Sequence, residues 1–197
     1  MTKADNRPVV ISGPSGVGKG TLIDMLLQSY PNRFTKTVSH TTRLARVGEE
    51  EGVDYFYISQ PEFKSLISRA AFIEYTLYNG HYYGTSIATV AEQTARGLIV
   101  ILEIDVDGAG QMRKRSTMDA RCIFVRPPSL EELEVRLRGR GSETEESVQR
   151  RLLSAQREME QVDSCPGLYD KIIVSDDLGR AYKDLVQFVL GESEIPQ

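Results

Sequence analysis

The stretch Val9-Val-Ile-Ser-Gly-Pro-Ser-Gly-Val-Gly-Lys-Gly-Thr21 decides the fold of this chain. Its first four residues are typical of a short buried strand, and the apolar residues after it have the spacing of a helix over 21–30. Between strand and helix the sequence matches G-x-x-x-x-G-K, a loop whose backbone N–H groups enclose phosphate oxygens while the lysine adds a positive charge. We therefore expect a phosphate site at Gly13, Pro14, Ser15, Gly16, Val17, Gly18, Lys19, Gly20 and Thr21.

The composition is that of an ordinary globular protein. The 197 residues are 40% hydrophobic and carry 24 basic against 28 acidic side chains, a net charge of −4. This length predicts one domain, and the acidic balance argues against a general nucleic-acid surface. No apolar run is long enough to span a membrane or to act as a signal segment, so we expect a cytoplasmic protein without membrane contact. Cys122 and Cys165 predict buried free thiols rather than a disulfide or a zinc site.

The order of strand and helix patterns predicts a three-layer α/β fold around a parallel sheet. Continuous apolar runs at 98–105, 122–125 and 171–174 are typical of central parallel strands. The segment from Thr37 to Thr85 is instead rich in β-forming residues, and Asn79-Gly80 predicts a hairpin turn within it. We predict a single domain over 1–197, with core segments at 1–36, 98–129 and 156–197, an inserted β-rich lobe at 37–97 and a helical lid at 130–155.

The lid segment combines two charged helices with a glycine joint. Helical sequence at 129–138 and 143–160 is separated by Gly139 and Gly141, and Ser142-Glu-Thr-Glu145 fits a capping box that begins the second helix. Such a joint allows guanidinium groups to swing onto a phosphate group. The alternative is a solvated helix whose arginines pair with neighbouring glutamates. The arginines concerned are Arg136, Arg138, Arg140, Arg150 and Arg151.

Further motifs follow in order along the chain: Ser39-His-Thr-Thr-Arg-Leu-Ala-Arg46, Gly48-Glu49, Gly52-Val-Asp-Tyr55, Phe72-Ile-Glu74, Tyr83-Gly-Thr85, Leu102-Glu-Ile-Asp-Val-Asp-Gly108 and Leu137-Arg-Gly-Arg-Gly-Ser-Glu-Thr-Glu-Glu146. In order and spacing they resemble the acceptor site, acidic strand and lid of guanylate kinases, which are P-loop nucleoside monophosphate kinases. The resemblance covers about residues 8–190. It implies the P-loop fold and an enzyme of purine nucleotide metabolism that transfers a phosphoryl group from ATP to GMP, and also to dGMP.

The resemblance also implies roles for single positions. Arg43, Arg46, Tyr55 and Tyr83 would hold the acceptor phosphate, and Ser39, Glu74, Thr85 and Asp105 would surround the guanine. Lys19, Arg43, Arg140 and Arg151 would stabilise the transferring phosphoryl group. The chemistry of the base agrees with Glu74, because a carboxylate can accept from both N1–H and the 2-amino group of guanine, whereas adenine offers no such pair of donors.

Three positions depart from the family pattern. Gly20 follows Lys19 where a Ser or Thr usually binds Mg²⁺, so we expect the metal to be held mainly by nucleotide phosphates and waters. We expect Glu103 and Asp105 on one face of a strand end. There they could bind Mg²⁺ through its waters, or they could simply face solvent. Asp107 replaces a common glutamine, and Ser175 replaces a common asparagine near the adenine.

Two alternative functions remain open from the sequence. The first is a non-catalytic guanylate-kinase-like module that binds a protein in the acceptor lobe, against which Lys19 and the lid arginines argue. The second is a kinase for another nucleoside monophosphate. Our main hypothesis is a monomeric enzyme whose partners are ATP and GMP, with Mg²⁺ as cofactor. His40 and His81 lie near the motifs, but a phosphate acceptor needs no histidine base, so we expect structural roles for both.

Overall fold

The computed structural model describes residues 5–115, 118–139 and 144–191. In these ranges the strands are β1 (Val9–Ser12), β2 (Phe34–Lys36), β3 (Ser39–Thr41), β4 (Tyr55–Tyr57), β5 (Phe72–Tyr78), β6 (His81–Ser86), β7 (Ile99–Glu103), β8 (Arg121–Arg126) and β9 (Lys171–Val174). The helices are α1 (Lys19–Ser29), α2 (Gln60–Ser68), α3 (Ile87–Ala95), α4 (Val106–Arg115), α5 (Leu130–Gly139), α6 (Glu145–Ser164) and α7 (Leu178–Leu190).

A parallel sheet in the order β2-β7-β1-β8-β9 forms the centre of the molecule. Side chains of β1 alternate between its faces: Val9 and Ile11 pack with residues of α1 and α7, whereas Val10 packs with residues of α3 and α4. Each fully buried aliphatic side chain of this kind contributes about 1.5–3 kcal/mol to stability. Helices therefore cover both faces of the sheet, and the predicted three-layer α/β fold is confirmed.

A second sheet, in the order β4-β3-β6-β5, is formed between β2 and α3. Asn79 and Gly80 adopt positive φ angles of 48° and 79° between β5 and β6, so the predicted hairpin turn is confirmed. Helix α2 packs on this sheet through Phe63, whose ring stacks on Phe72 with 4.3 Å between ring centres. His40 packs between the rings of Phe56 and Phe72, and burial lowers its pKa, which agrees with a structural role.

Helices α5 and α6 pack against each other beside the loop that follows β1. Leu137 is fully buried, and a methyl group built on Gly16 would meet it at 2.7 Å. The cap of α6 is Thr144, whose hydroxyl accepts a hydrogen bond from the Ser147 N–H group. The predicted cap at Ser142 is therefore wrong, and Ser142 itself lies outside the described residues.

The two cysteines differ in environment. Cys122 is buried in β8, and burial raises its pKa to about 11. Cys165 is exposed at the end of α6, so the prediction of a buried thiol is wrong there, because the chain leaves the helix at that residue. Among the helices of the described ranges, none has the length and apolar character that crossing a membrane requires.

Candidate active site

The loop between β1 and α1 has the backbone geometry of a phosphate cradle. Gly18 adopts a left-handed conformation with φ of 103° directly before α1, which a side chain would strain. The Lys19 ammonium folds back over the loop and donates to the carbonyl oxygens of Gly13 at 2.5 Å and Pro14 at 3.0 Å. Because the N–H groups in the first turn of a helix have no partner within the helix, the start of α1 can donate to phosphate oxygens here.

A cavity of about 470 Å³ extends from this loop to the second sheet. Ser15 and Lys19 line it at the loop, and Ser39 and Tyr55 line it at the second sheet. Its other lining residues are Gly13, Lys36, Thr37, Asp54, Glu103, Ile104, Asp105 and Glu158. Residues predicted for the donor and for the acceptor thus face one shared space.

Arg43 lies at the centre of a polar and aromatic cluster beside this cavity. Its guanidinium donates to both carboxylate oxygens of Glu49, at 2.8 and 2.9 Å, and lies 5.4 Å from the centre of the Tyr55 ring. Glu49, together with the Tyr83 hydroxyl, raises the pKa of Arg43. The rings of Tyr55 and Tyr83 meet edge to face, 6.0 Å apart. Three of the four residues predicted for the acceptor phosphate are therefore in contact.

Glu49 organises this cluster, although no role for its side chain is evident from the sequence. Besides holding Arg43, it accepts from the Arg46 N–H group and from the Tyr57 hydroxyl, each at 2.8 Å. These bonds, with that from Arg43 the strongest, lower the pKa of Glu49 to about 2. Arg46 joins the cluster through its backbone, and its side chain is exposed. The Gly48-Glu49 motif was visible in the sequence, but only the fold shows which side chain the carboxylate faces.

The residues predicted for the base form a second cluster, in which Glu74 and Thr85 are buried, Ser39 is half-buried and Asp105 is exposed. Ser39 Oγ and Thr85 Oγ1 are 3.2 Å apart. Glu74 pairs with Thr85 in the ladder of β5 and β6, and only 7% of it is exposed. A methyl group built at Gly108 would lie 3.4 Å from the Glu74 carboxylate and 3.2 Å from that of Asp105, so these two carboxylates approach the same point. The four predicted residues thus lie in one contiguous group.

The two acidic residues at and just after the end of β7 have different hydrogen-bond partners. Glu103 accepts from the Lys36 ammonium at 2.7 Å. Asp105 accepts from the Gly108 N–H group at 2.7 Å, at the start of α4. The prediction that both side chains leave one face of a strand is wrong, because β7 ends at Glu103 and the chain turns into α4.

A second cavity of about 310 Å³ adjoins the phosphate loop, and side-chain oxygen atoms that could bind a metal ion line it. Gly20, Thr21, Asp24 and Glu103 line it together with Lys19. Among residues 5–115, 118–139 and 144–191, no three His, Cys, Asp or Glu side chains lie close enough together to hold a metal ion. Isolated carboxylates fit a Mg²⁺ ion that keeps its waters and the nucleotide phosphates as ligands.

Helix α6 contacts the phosphate loop through Arg151, one of the two predicted lid arginines. Its Nη1 donates to Ser15 Oγ at 2.5 Å. Arg138 instead pairs with Glu134 at 2.7 Å and with Glu145 at 2.5 Å, as the alternative of a solvated helix expects. Arg140, the other predicted lid arginine, lies outside the described residues.

Ser175, a predicted departure from the family pattern, is buried beside the phosphate loop. A methyl group on Gly18 would lie 3.6 Å from its hydroxyl. Arg136 of α5 donates to the same hydroxyl at 3.3 Å. Asp107, the other departure, accepts from Gln161 at 3.0 Å and so links α4 to α6.

Glu158 of α6 also lines the cavity, although no motif in the sequence includes it. Its carboxylate accepts from Ser154 Oγ at 3.2 Å. Burial raises its pKa, and attraction to Lys19 opposes that rise. The residue stands in a highly charged stretch of α6, a pattern typical of a solvated helix face, so the sequence contains no signal that separates it from its neighbours.

Comparison with known proteins identifies relatives over nearly the whole chain. The family model described as guanylate kinase matches residues 5–192. The chain is 44% identical to the guanylate kinase of Schizosaccharomyces pombe over 186 residues, which are 94% of this chain and 91% of that protein. It is 49% identical to guanylate kinase 1 of Oryza sativa subsp. japonica over 179 residues, which are 91% of this chain but 46% of the longer rice protein. A crystal structure of guanylate kinase from Anaplasma phagocytophilum superimposes with a TM-score of 0.70 at 31% identity, covering 96% of this chain and 87% of that one.

Proposed function

The chain belongs to the guanylate kinase family, and from this premise we propose that it transfers the γ-phosphoryl group of ATP to GMP. The observation that carries the proposal is the shared cavity: Lys19 of the phosphate loop and Ser39 and Tyr55 of the acceptor side line one space of about 470 Å³. Two nucleotides bound at its two ends would meet phosphate to phosphate. Such placement converts a bimolecular reaction into an in-line transfer within one complex.

We assign the acceptor phosphate to Arg43, Arg46, Tyr55 and Tyr83. The planar fork of Arg43 is already held by Glu49 and by the tyrosine rings, so little side-chain entropy remains to be lost when a phosphate binds. Arg46 is three residues away, and its exposed side chain can turn toward the same anion. The contact of Arg43 with both tyrosines supports this assignment.

We assign the guanine to Ser39, Glu74, Thr85 and Asp105. Glu74 and Asp105 can accept from N1–H and the 2-amino group, while the hydroxyls of Ser39 and Thr85 can donate to O6. A buried carboxylate that faced adenine would lose these bonds, and a mismatch of this kind can cost selectivity factors of about 10⁴. The low exposure of Glu74 supports a role in selecting the base.

At the donor end we assign the triphosphate to residues 13–21 and charge stabilisation to Lys19, Arg140 and Arg151. Magnesium, when bound, would neutralise charge on the phosphates, with Glu103 and Asp105 available to its waters. No general base is needed, because the acceptor phosphate is already anionic. The chain's own contribution is to orient both phosphates, to hold positive charge around the transferring group and to exclude water.

We further propose that the predicted segments act as separate parts, with core segments at 1–36, 98–129 and 156–197, a GMP-binding lobe at 37–97 and a lid at 130–155. The second sheet and the contact of Arg151 with Ser15 support this division. A cytoplasmic site of action in purine nucleotide metabolism, a monomeric state and activity on dGMP stay predictions. The family membership does not favour the alternative of a non-catalytic interaction module.

The test is a parallel assay of the purified chain with ATP and Mg²⁺ and one acceptor at a time. The acceptors are GMP, dGMP, AMP, UMP and CMP, and formation of ADP and of the nucleoside diphosphate is measured. We expect turnover with the guanine nucleotides and at least about 100-fold less with the others. Turnover with another base would contradict the assignment of Glu74, and GMP binding without turnover would favour the interaction module.

A further inference from the structure

Glu158 is a carboxylate of α6 beside the phosphate loop, and it shares its cavity with the carboxylates of Asp54, Glu103 and Asp105. It lines the cavity of about 470 Å³ together with Ser15 and Lys19 of the phosphate loop. It also lines a neighbouring cavity of about 580 Å³, together with Arg150 and Arg151. A negative charge at this place repels phosphate groups and attracts the Lys19 ammonium.

The position of Glu158 on α6 places it on the same side as Arg151. The two residues are seven positions apart, which is about two helical turns, and Ser154 lies between them on the same face. Arg151 donates to Ser15 of the phosphate loop at 2.5 Å. One face of α6 therefore presents the Arg151 guanidinium to the phosphate loop and, two turns later, the Glu158 carboxylate to the cavity of about 470 Å³.

Charges of both signs act on Glu158. Lys19 of the phosphate loop attracts the carboxylate, whereas Asp105 and Asp107, at the start of α4, repel it. Ser154 Oγ donates to Oε1 at 3.2 Å and fixes the side chain on its own helix. Attraction between Glu158 and Lys19 thus acts between α6 and the phosphate loop, while the ammonium donates to the carbonyl oxygens of Gly13 and Pro14.

We propose that Glu158 is a positioning residue, which orients Lys19 and couples the seating of α6 on the phosphate loop to the position of that ammonium. The proposal deepens the proposed function and rests on it. When nucleotide phosphates enter, Lys19 moves to them, and α6 follows because Glu158 attracts Lys19 and Arg151 attracts the phosphates. Glu158 itself does not touch the transferring group in this arrangement.

This role predicts a split between binding and turnover. Loss of the negative charge removes a repulsion, so ATP should bind as tightly as before or more tightly. Loss of the link between α6 and Lys19 should slow the chemical step, because charge groups that are misplaced by less than 1 Å lose much of their effect. A residue that only bound ATP would show the opposite pattern, a raised KM with unchanged kcat.

The decisive variant is Glu158→Gln, which keeps the size and the acceptor oxygen for Ser154 but removes the charge. We expect kcat to fall about tenfold with no rise in KM for ATP, and Glu158→Asp to lose only about threefold. The matched control is Glu160→Gln, an exposed glutamate on the same helix, which should equal the wild type. Unchanged kcat in Glu158→Gln, or a raised KM with unchanged kcat, would overturn the proposal.

Two further measurements separate positioning from a general loss of structure and from failure of the proposed function. Thermal unfolding should give the same Tm for Glu158→Gln and Glu160→Gln within about 2 °C. Hydrogen exchange with and without ATP should show protection of residues 13–21 and 144–164 in the wild type, with protection of 144–164 lost in Glu158→Gln. This readout needs no GMP turnover. Equal protection of α6 in both proteins would contradict the coupling even if the enzyme were inactive on GMP.

Discussion

The two ends of the cavity are built in different ways. The phosphate loop depends on backbone conformation within one short segment, in which Gly18 sets the turn and the start of α1 supplies N–H groups. The acceptor side depends on side chains from several strands and loops, such as the pair Arg43–Glu49 and the hydroxyls of Ser39 and Thr85. The difference predicts that single substitutions at the loop affect rate or stability, whereas substitutions on the acceptor side affect affinity and selectivity.

The largest effect is expected at Lys19. Lys19→Ala removes the one charged side chain of the loop, and loss of a preorganised charge donor typically lowers turnover by at least about 100-fold. The measurement is kcat with saturating ATP and GMP. Lys64→Ala, at an exposed lysine of α2, is the matched control and should retain wild-type activity. Retained turnover in Lys19→Ala would remove the loop from the catalytic assignment.

Glu74 should affect selectivity more than rate. Glu74→Gln replaces one of the two acceptor oxygens by a donor, so the preference for GMP over AMP should fall about 30-fold. The measurement is the ratio of kcat/KM for GMP to that for AMP. If this ratio stayed unchanged while KM for GMP rose, Glu74 would contribute to affinity and not to the choice of base.

The same contrast explains how far the sequence could predict the molecule. The loop, the hairpin at Asn79-Gly80 and the central strands depend on local patterns of glycine and apolar residues, and the structure agrees with them. The parallel pairing of β3 with β4 depends on residues well apart in the chain, and no local pattern indicates it. Similarly, Glu49 and Glu158 resemble solvated charges until the fold shows their partners.

Local patterns were also misleading at chain turns. Asp105 continues the alternation of β7 in the sequence, but the strand ends two residues earlier and Asp105 accepts from Gly108 at the start of α4. Ser142 and Thr144 both fit the cap of a helix in the sequence, and Thr144 is the cap in the structure. In each case the local pattern predicts the element and misplaces its end by two residues.

A smaller effect is expected at Glu49. Glu49→Gln weakens the hold on Arg43, so KM for GMP should rise about tenfold while KM for ATP stays constant.

The same carboxylate should make the stability of the fold fall at low pH. Hydrogen bonds from Arg43, Arg46 and Tyr57, with that from Arg43 the strongest, lower the pKa of Glu49 from 4.5 to about 2. The charged form therefore stabilises the fold above pH 4.5, and this contribution is lost as the pH falls toward 2.

The control for this prediction is the pH dependence of unfolding in both proteins. The difference in stability between wild type and Glu49→Gln should be largest near neutral pH and should shrink between pH 4.5 and 2, where Glu49 takes up its proton. A stability difference that stayed constant over this range would mean that the charge of Glu49 does not hold the cluster. A rise in KM for ATP in Glu49→Gln would mean that Glu49 acts on the phosphate-loop end of the cavity, against this prediction.

The smallest effects are expected on stability, at Gly18 and Gly20 of the phosphate loop. Gly18→Ala places a side chain on a residue with φ of 103°, where the nearest atom is an ordinary 3.6 Å away, so the cost is backbone strain of about 1 kcal/mol rather than a clash. At Gly20 a methyl group would meet nothing within 4 Å in α1, and Gly20→Ala should stabilise the fold by about 0.5 kcal/mol. Denaturant unfolding measures both. If the two variants had equal stability, the left-handed turn at Gly18 would not be what sets the loop, and the phosphate cradle would have to depend on side-chain packing as the acceptor side does.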